Sequence, residues 1–159
     1  MRKIVLALCL LLSAIAVKAQ PTKIYLTESP ASADVTYAFT KTSINADVKV
    51  WIGQSVYSDI DVCFVNRPWS NSIDVELVSS QTLADVSICL SGSPAFADKT
   101  ICITDVFAYA DICISLWNYP STFTKEIYVK GVDPNKLSKE AKVAILHVLG
   151  LLNKKRSTF

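Results

Sequence analysis

The chain has 159 residues, 51% hydrophobic and 19% charged, with 4 glycines, which excludes a collagen-like, low-complexity or intrinsically disordered polypeptide. Its formal charge of +2 hides an opposition: residues 20–119 carry 5 Lys/Arg against 11 Asp/Glu, while residues 120–159 carry 8 against 3. Polynucleotide phosphates would repel so acidic a body, so nucleic acid is excluded as its partner.

Arg2 and Lys3 precede an apolar run from Ile4 to Val17, and Val17-Lys18-Ala19 places a tolerated set of residues before Gln20. Residues 1–19 therefore read as a signal peptide cleaved near Ala19, and the mature chain as exported, periplasmic or secreted. The run is shorter than the ~20 residues a membrane-spanning helix needs.

From residue 34 a repeat sets in. Ala or Ile followed by Asp recurs at Asp34, Asp47, Asp61, Asp74, Asp85, Asp98 and Asp111, with spacings of 13, 14, 13, 11, 13 and 13. Each Asp precedes alternating apolar residues, among them Val35-Tyr37-Phe39, Val48-Val50-Ile52, Val86-Ile88-Leu90 and Ile112-Ile114-Leu116. Period two is the mark of a strand. The intervening positions are smaller and more polar, so one face is core and the other half-buried. Polar, turn-prone pieces such as TESPASA, NRPWSNSI and SGSPAFA separate the strands. A unit of about 13 residues holds one strand and a return, and cannot bury its apolar edge alone. The predicted fold is all-β, a short-strand repeat wound as a compact, solenoid-like domain over residues 20–119.

Residues 120–159 form a different segment. Glu126-Ile127-Tyr128-Val129-Lys130 reads as a last strand. Asp133-Pro134 then supplies an N-cap with proline at the first helical position, and Leu137, Ala141, Ala144, Ile145, Val148, Leu149 and Leu152 fall at helical spacing. This predicts one C-terminal amphipathic helix, roughly 134–153, followed by Lys154-Lys155-Arg156. Docking of the helix on the acidic body is the default expectation. An envelope protein or an anionic membrane surface is the partner a basic tail would otherwise engage.

The run ADKTICITDVFAYADICI (residues 97–114), with SADVTYAF, NADVKVWI and LADVSICL, resembles the septoil-knot domain, formerly a bacterial domain of unknown function. The resemblance covers roughly residues 23–117. It implies a wound β fold whose backbone is a seven-crossing torus knot, with no established biochemical activity. An Arg-Ser-acid-Ala-Asp turn recurs in that family, and here only Arg67 resembles its arginine.

No GxSxG, HExxH, P-loop or GxGxxG pattern stands in the sequence, so neither an enzyme nor a cofactor is expected. The seven Asp residues read as structural, a short acid at each turn accepting backbone N–H bonds, rather than as a Ca²⁺ ladder. Cys89 and Cys102 share one phase of the repeat and Cys63 and Cys113 another, which makes two disulfides conceivable in an exported protein. The alternative is that all four are small fillers of the half-buried face. His147, the one histidine, reads as a helix residue without a nucleophile to serve. Trp51, Trp69, Trp117 and Tyr119 fall on the minor face or in connections. They are the candidate surface for a sugar, another small ligand or a protein partner.

Overall fold

A computed structural model describes residues 19–153. Residues 1–18 of the predicted signal peptide and Lys154-Lys155-Arg156 lie outside the described residues. Nine strands of six residues each make up the body: β1 Thr22–Thr27, β2 Val35–Thr40, β3 Val48–Gly53, β4 Ile60–Val65, β5 Ile73–Val78, β6 Val86–Ser91, β7 Lys99–Thr104, β8 Ile112–Trp117 and β9 Lys125–Lys130. One α-helix follows, α1, Lys139–Val148. The chain is thus an all-β repeat with a single C-terminal helix. Strand starts recur every 13 residues except for a step of 12 between β3 and β4.

That regularity corrects the phase of the repeat. The residue just before each strand is Asp34, Asp47, Asp59, Ser72, Asp85, Asp98, Asp111 and Thr124 for β2 to β9. Asp61 and Asp74 are instead the second residues of β4 and β5, which is why the Asp spacings of 14 and 11 departed from 13. The repeat also extends beyond its predicted limits. β1 carries Pro21 where the Asp would stand, and β9, which the sequence set apart with the tail, lies between β4 and β5.

All nine strands are parallel and close into a barrel in the order β1-β5-β9-β4-β8-β3-β7-β2-β6. Each successive strand moves two places round the ring in the same sense. Strands β1 to β5 make a first lap, and β6 to β9 are laid between them in a second. Relative to the repeat, each interface is offset by two residues: Ile60 pairs with Ile114 rather than with its equivalent Ile112, and Val50 with Ile112 rather than Val48. An even offset keeps inward side chains inward. Repeated at nine interfaces it makes a shear of 18 residues. With ordinary strand spacing this corresponds to a tilt of about 54° and a radius of about 12 Å, steeper and wider than usual barrels.

Such a barrel cannot be filled by its own strands alone, and the helix fills it. The inward residues Ile24, Tyr37, Val50, Val62, Val75, Ile88, Ile101, Ile114 and Ile127 form one buried cluster with Val143, Ala144, Ile145 and Leu146 of α1. Four consecutive buried residues at 100° intervals leave a helix no free face. The start of α1 is near the C-terminal ends of β4 and β8, where Lys142 shares a cleft with Val65 and Trp117. The chain beyond α1 emerges at the opposite mouth, where Gly150 and Leu151 lie with Asp59 and Ile60. The helix therefore runs through the lumen, antiparallel to the strands. Docking on the body is what the sequence led one to expect; enclosure by it is not.

The helix is also shorter than predicted. Asp133 caps a separate 3₁₀ turn, Pro134–Lys136, by accepting from Asn135 N–H, and Leu137 returns to an extended conformation. Ser138 is the true N-cap, accepting from the Ala141 N–H. At the other end Gly150, with φ of +72°, makes a Schellman close: Leu151 N–H donates to Leu146 and Gly150 N–H to His147.

His147 reaches the inner wall of the lumen. Its Nδ1 lies 2.7 Å from the Tyr37 hydroxyl, with the rings edge to face. Burial, with Lys99 nearby, holds the imidazole pKa below its ordinary value. Burial and Asp98 push Tyr37 up to about 12. A histidine kept neutral when folded but free to protonate when unfolded contributes its full stability above the unfolded pKa of about 6.5, and loses it as pH falls through the lowered folded value. Chemical denaturation midpoints should therefore drop below about pH 6.5, and His147→Phe should flatten that drop.

Candidate functional site

Each connection crosses the outer face of the strand it skips, and the Asp at its end clamps that strand. Asp34 N–H donates to the Ser87 carbonyl while its Oδ2 accepts from Ser87 N–H at 2.7 Å and from Ser87 Oγ at 2.6 Å. Asp47 holds Thr100 in the same reciprocal way, Asp59 holds Cys113, Asp85 holds Lys23, Asp98 holds Thr36 and Asp111 holds Lys49. In every case the clamped residue is the second of its strand. The carboxylate stands in for a backbone carbonyl and adds one rung to the ladder. Hydrogen bonds from Ser87 hold the Asp34 carboxyl below the usual carboxylate range.

The structural reading of the acids thus describes Asp34, Asp47, Asp85, Asp98 and Asp111, and Asp59 joins them. Asp61 and Asp74 do not clamp: Asp61 accepts from Ser58 Oγ and Trp117 Nε1, and Asp74 accepts from Ser72 Oγ. Asp59→Ala should cost about 1–3 kcal/mol, because the Cys113 N–H loses a charged acceptor. Asp59→Asn, which keeps an acceptor oxygen, should cost less; urea midpoints compare the two.

The second face of the sheet is covered by these connections, and it holds the cysteines. Cys63, Cys89, Cys102 and Cys113 are buried and unbridged. The two conceivable disulfides are excluded by the ring order. Cys89 on β6 and Cys102 on β7 have β2 between them, two strand spacings or about 9.6 Å, beyond what a disulfide spans. Cys63 and Cys113 are on neighbouring strands, but Cys63 pairs in register with Trp117, four residues along. The thiols are fillers. Burial pushes the thiol pKa of Cys63 up, with Glu126 adding to it, and burial pushes that of Cys89 up as well.

Two connections depart from the clamping rule, and they are neighbours. The turn before β5 ends in Ser72 and crosses β9; the turn before β9 ends in Thr124 and crosses β4. Ser72 and Thr124 close their own turns instead, each bonding both backbone groups of a residue three back, Trp69 and Ser121. The residues they would have clamped are Glu126 and Asp61, both acids. An acid in the turn facing an acid on the strand would be repulsive, so the pairing fails on both sides at once.

Released from clamping, these two turns border two clefts. Trp69 (57% exposed), Trp117 (38%) and Tyr119 (81%) project there. With Pro120 three of the four predicted aromatics gather at one mouth of the barrel. One cleft, of about 590 Å³, runs between Trp69, Trp117 and Tyr119 and is edged by Asn66, Arg67, Asp133, Asn135 and Lys142. A second, of about 630 Å³, shares Trp69 and Pro120 and reaches Asn71, Thr122 and Glu126. Within the first, Lys142 lies 5.6 Å from the centre of the Phe64 ring. Burial lowers its pKa, and Asp133 works against that fall.

Trp51 is not part of this surface. It packs edge to face on Phe107, at 5.0 Å, and lies over Gly53, where any Cβ would collide with the indole. Its role is to cover β3 under the turn that crosses it. His147 is likewise remote, enclosed in the lumen. Sequence reasoning missed Glu126 and Asn66, Arg67, Asp133 and Asn135. The one available signal was the loss of Asp at Ser72 and Thr124, visible only once the 13-residue phase is set.

No family model, curated protein or solved structure matches this chain. Among the described residues no helix is long and apolar enough to cross a membrane, and no group of three or more His, Cys, Asp or Glu is placed to hold a metal ion.

Proposed function

We propose that the mature protein is an exported interaction module that acts by binding, presenting the Trp69–Trp117–Tyr119 surface to a carbohydrate ligand on a rigid barrel. The observation that carries this reading is the convergence of three exposed rings with amide, guanidinium and carboxylate groups beside two clefts, at the place where the repeat breaks its own rule. Flat rings stack on the apolar faces of sugars, and planar polar side chains beside them accept and donate to hydroxyls.

The septoil-knot resemblance belongs to the same proposal. A second lap laid between the strands of the first, with a uniform step of two round a nine-membered ring, is the course a wound, knotted backbone would take. A threaded scaffold unfolds slowly, which suits a protein that works outside the cytoplasm.

Titrating the mature protein with short hexose and hexosamine oligomers tests the binding reading, with tryptophan fluorescence and calorimetry as readouts. Saturable binding is expected, weakened about tenfold or more by Trp69→Ala and by Trp117→Ala, and unchanged by Lys41→Ala, far from the clefts. Absence of binding to every oligomer class would contradict it.

A further inference from the structure

Glu126 is the second residue of β9, the position that every clamped strand offers to an aspartate, and it faces outward beneath the turn that carries Trp69. Its Oε2 is shielded from solvent and has no hydrogen-bond partner. A carboxylate oxygen withdrawn from water without a partner is costly. Glu126 is one of the residues that line the 630 Å³ cleft, as is Trp69. The only ion pair among the described residues joins Lys130 to Glu76, elsewhere on the sheet. Lys125, the preceding residue, borders both this cleft and the separate one that contains Asp59 and Asp61. Strand alternation starts its side chain on the opposite face from Glu126, and no ion pair joins the two.

We propose that this cleft is a site for a cationic group of the ligand, an ammonium seated between the Glu126 carboxylate and the Trp69 ring. The inference rests on the carbohydrate reading above and names the class of sugar: a hexosamine with a free amine rather than an N-acetylated one. An ammonium supplies what Glu126 lacks, donors and a positive charge. The indole adds attraction through its negative face. A neutral acetamide supplies neither the charge nor a second strong donor. Replacing the aspartate clamp by an acid on the strand itself therefore converts a structural contact into an unfilled cation site.

The test compares glucosamine oligomers with N-acetylglucosamine oligomers of the same length, on mature protein and on Glu126→Gln, at a pH where the amine is charged. The expected result is about tenfold tighter binding of the amine form by the native protein. Glu126→Gln should remove that preference, bringing the amine form down to the level of the N-acetyl form, without lowering the melting temperature. Equal affinity for the two oligomers, or a preference that survives in Glu126→Gln, overturns the cation site and leaves the carbohydrate reading standing. If neither oligomer binds, the carbohydrate reading itself falls and the cation site with it.

Discussion

Truncation after Val132 leaves all nine strands and removes the lumenal helix with the 3₁₀ turn before it and the residues after it, and the expected result is loss of the folded barrel. Val143, Ile145, Leu146 and Leu152 are each buried to 5% exposure or less. At about 1.5–3 kcal/mol per buried aliphatic side chain their removal forfeits roughly 6–12 kcal/mol, as much as the whole stability of an ordinary domain. Inward residues of nine strands would then line an empty space about as wide as a helix with its side chains. Collapse onto that space would need a change of shear, and the shear is fixed by register at every interface. Circular dichroism and dye binding should report a molten or unfolded chain, and Ile145→Ala in the full chain a loss of about 2–5 kcal/mol. A truncated protein that melts cooperatively near the native midpoint would show that the helix is an accessory rather than the core of the barrel.

Slow folding and slower unfolding are the second large effect. No strand pairs with its neighbour in sequence. Thr22 pairs with Val75 and Ile24 with Val86, separations of 53 and 62 residues, and the remaining ladders keep close to these values. As a share of the 159-residue chain these separations are roughly 0.33–0.39, and it is such non-local pairing that makes all-β domains slow to fold. The five strands of the first lap have almost nothing to bond to until the second lap arrives. Chain closure must precede nearly every gain. Unfolding runs the same path backward, since no edge strand can peel away from a closed ring. Guanidinium curves approached from folded and unfolded protein should fail to coincide after a day, with refolding over minutes or longer. Coincidence within an hour would mean that the strands find one another as readily as in a meander.

Much of this architecture is legible in the sequence, for a local reason. Inward positions such as Val35-Tyr37-Phe39 and Ile112-Ile114-Leu116 alternate because a strand has period two, and the 13-residue spacing records one strand and one crossing. The course of the ring is not legible. A step of two round nine strands follows from the shear, a property of all the interfaces together. Asp61 and Asp74 read as turn residues because they lie close to the expected spacing and follow isoleucine, whereas Asp59 has serine before it. Cysteines at equal phases read as a pair only if lateral neighbours are sequence neighbours, and interleaving separates them. The stretch from Val143 to Leu152 is apolar nearly all round, so its need for cover is legible, but that the cover is a closed ring of strands is not. At the site, the exposed rings were findable as aromatics off the core stripe. Glu126 was not, since a glutamate on an outward strand position is ordinarily a solvated one.

The proposed origin of the binding surface is the loss of two clamps. It is tested most directly by restoring one: Ser72→Asp combined with Glu126→Thr gives β9 the turn and strand residues of the regular repeats, Asp47 and Thr100 being the pattern. Oligosaccharide binding and the melting temperature of this double variant should be measured together. Binding should be lost, and the melting temperature should equal or exceed that of the native protein. Binding retained at native affinity, in a variant that folds, would contradict that origin.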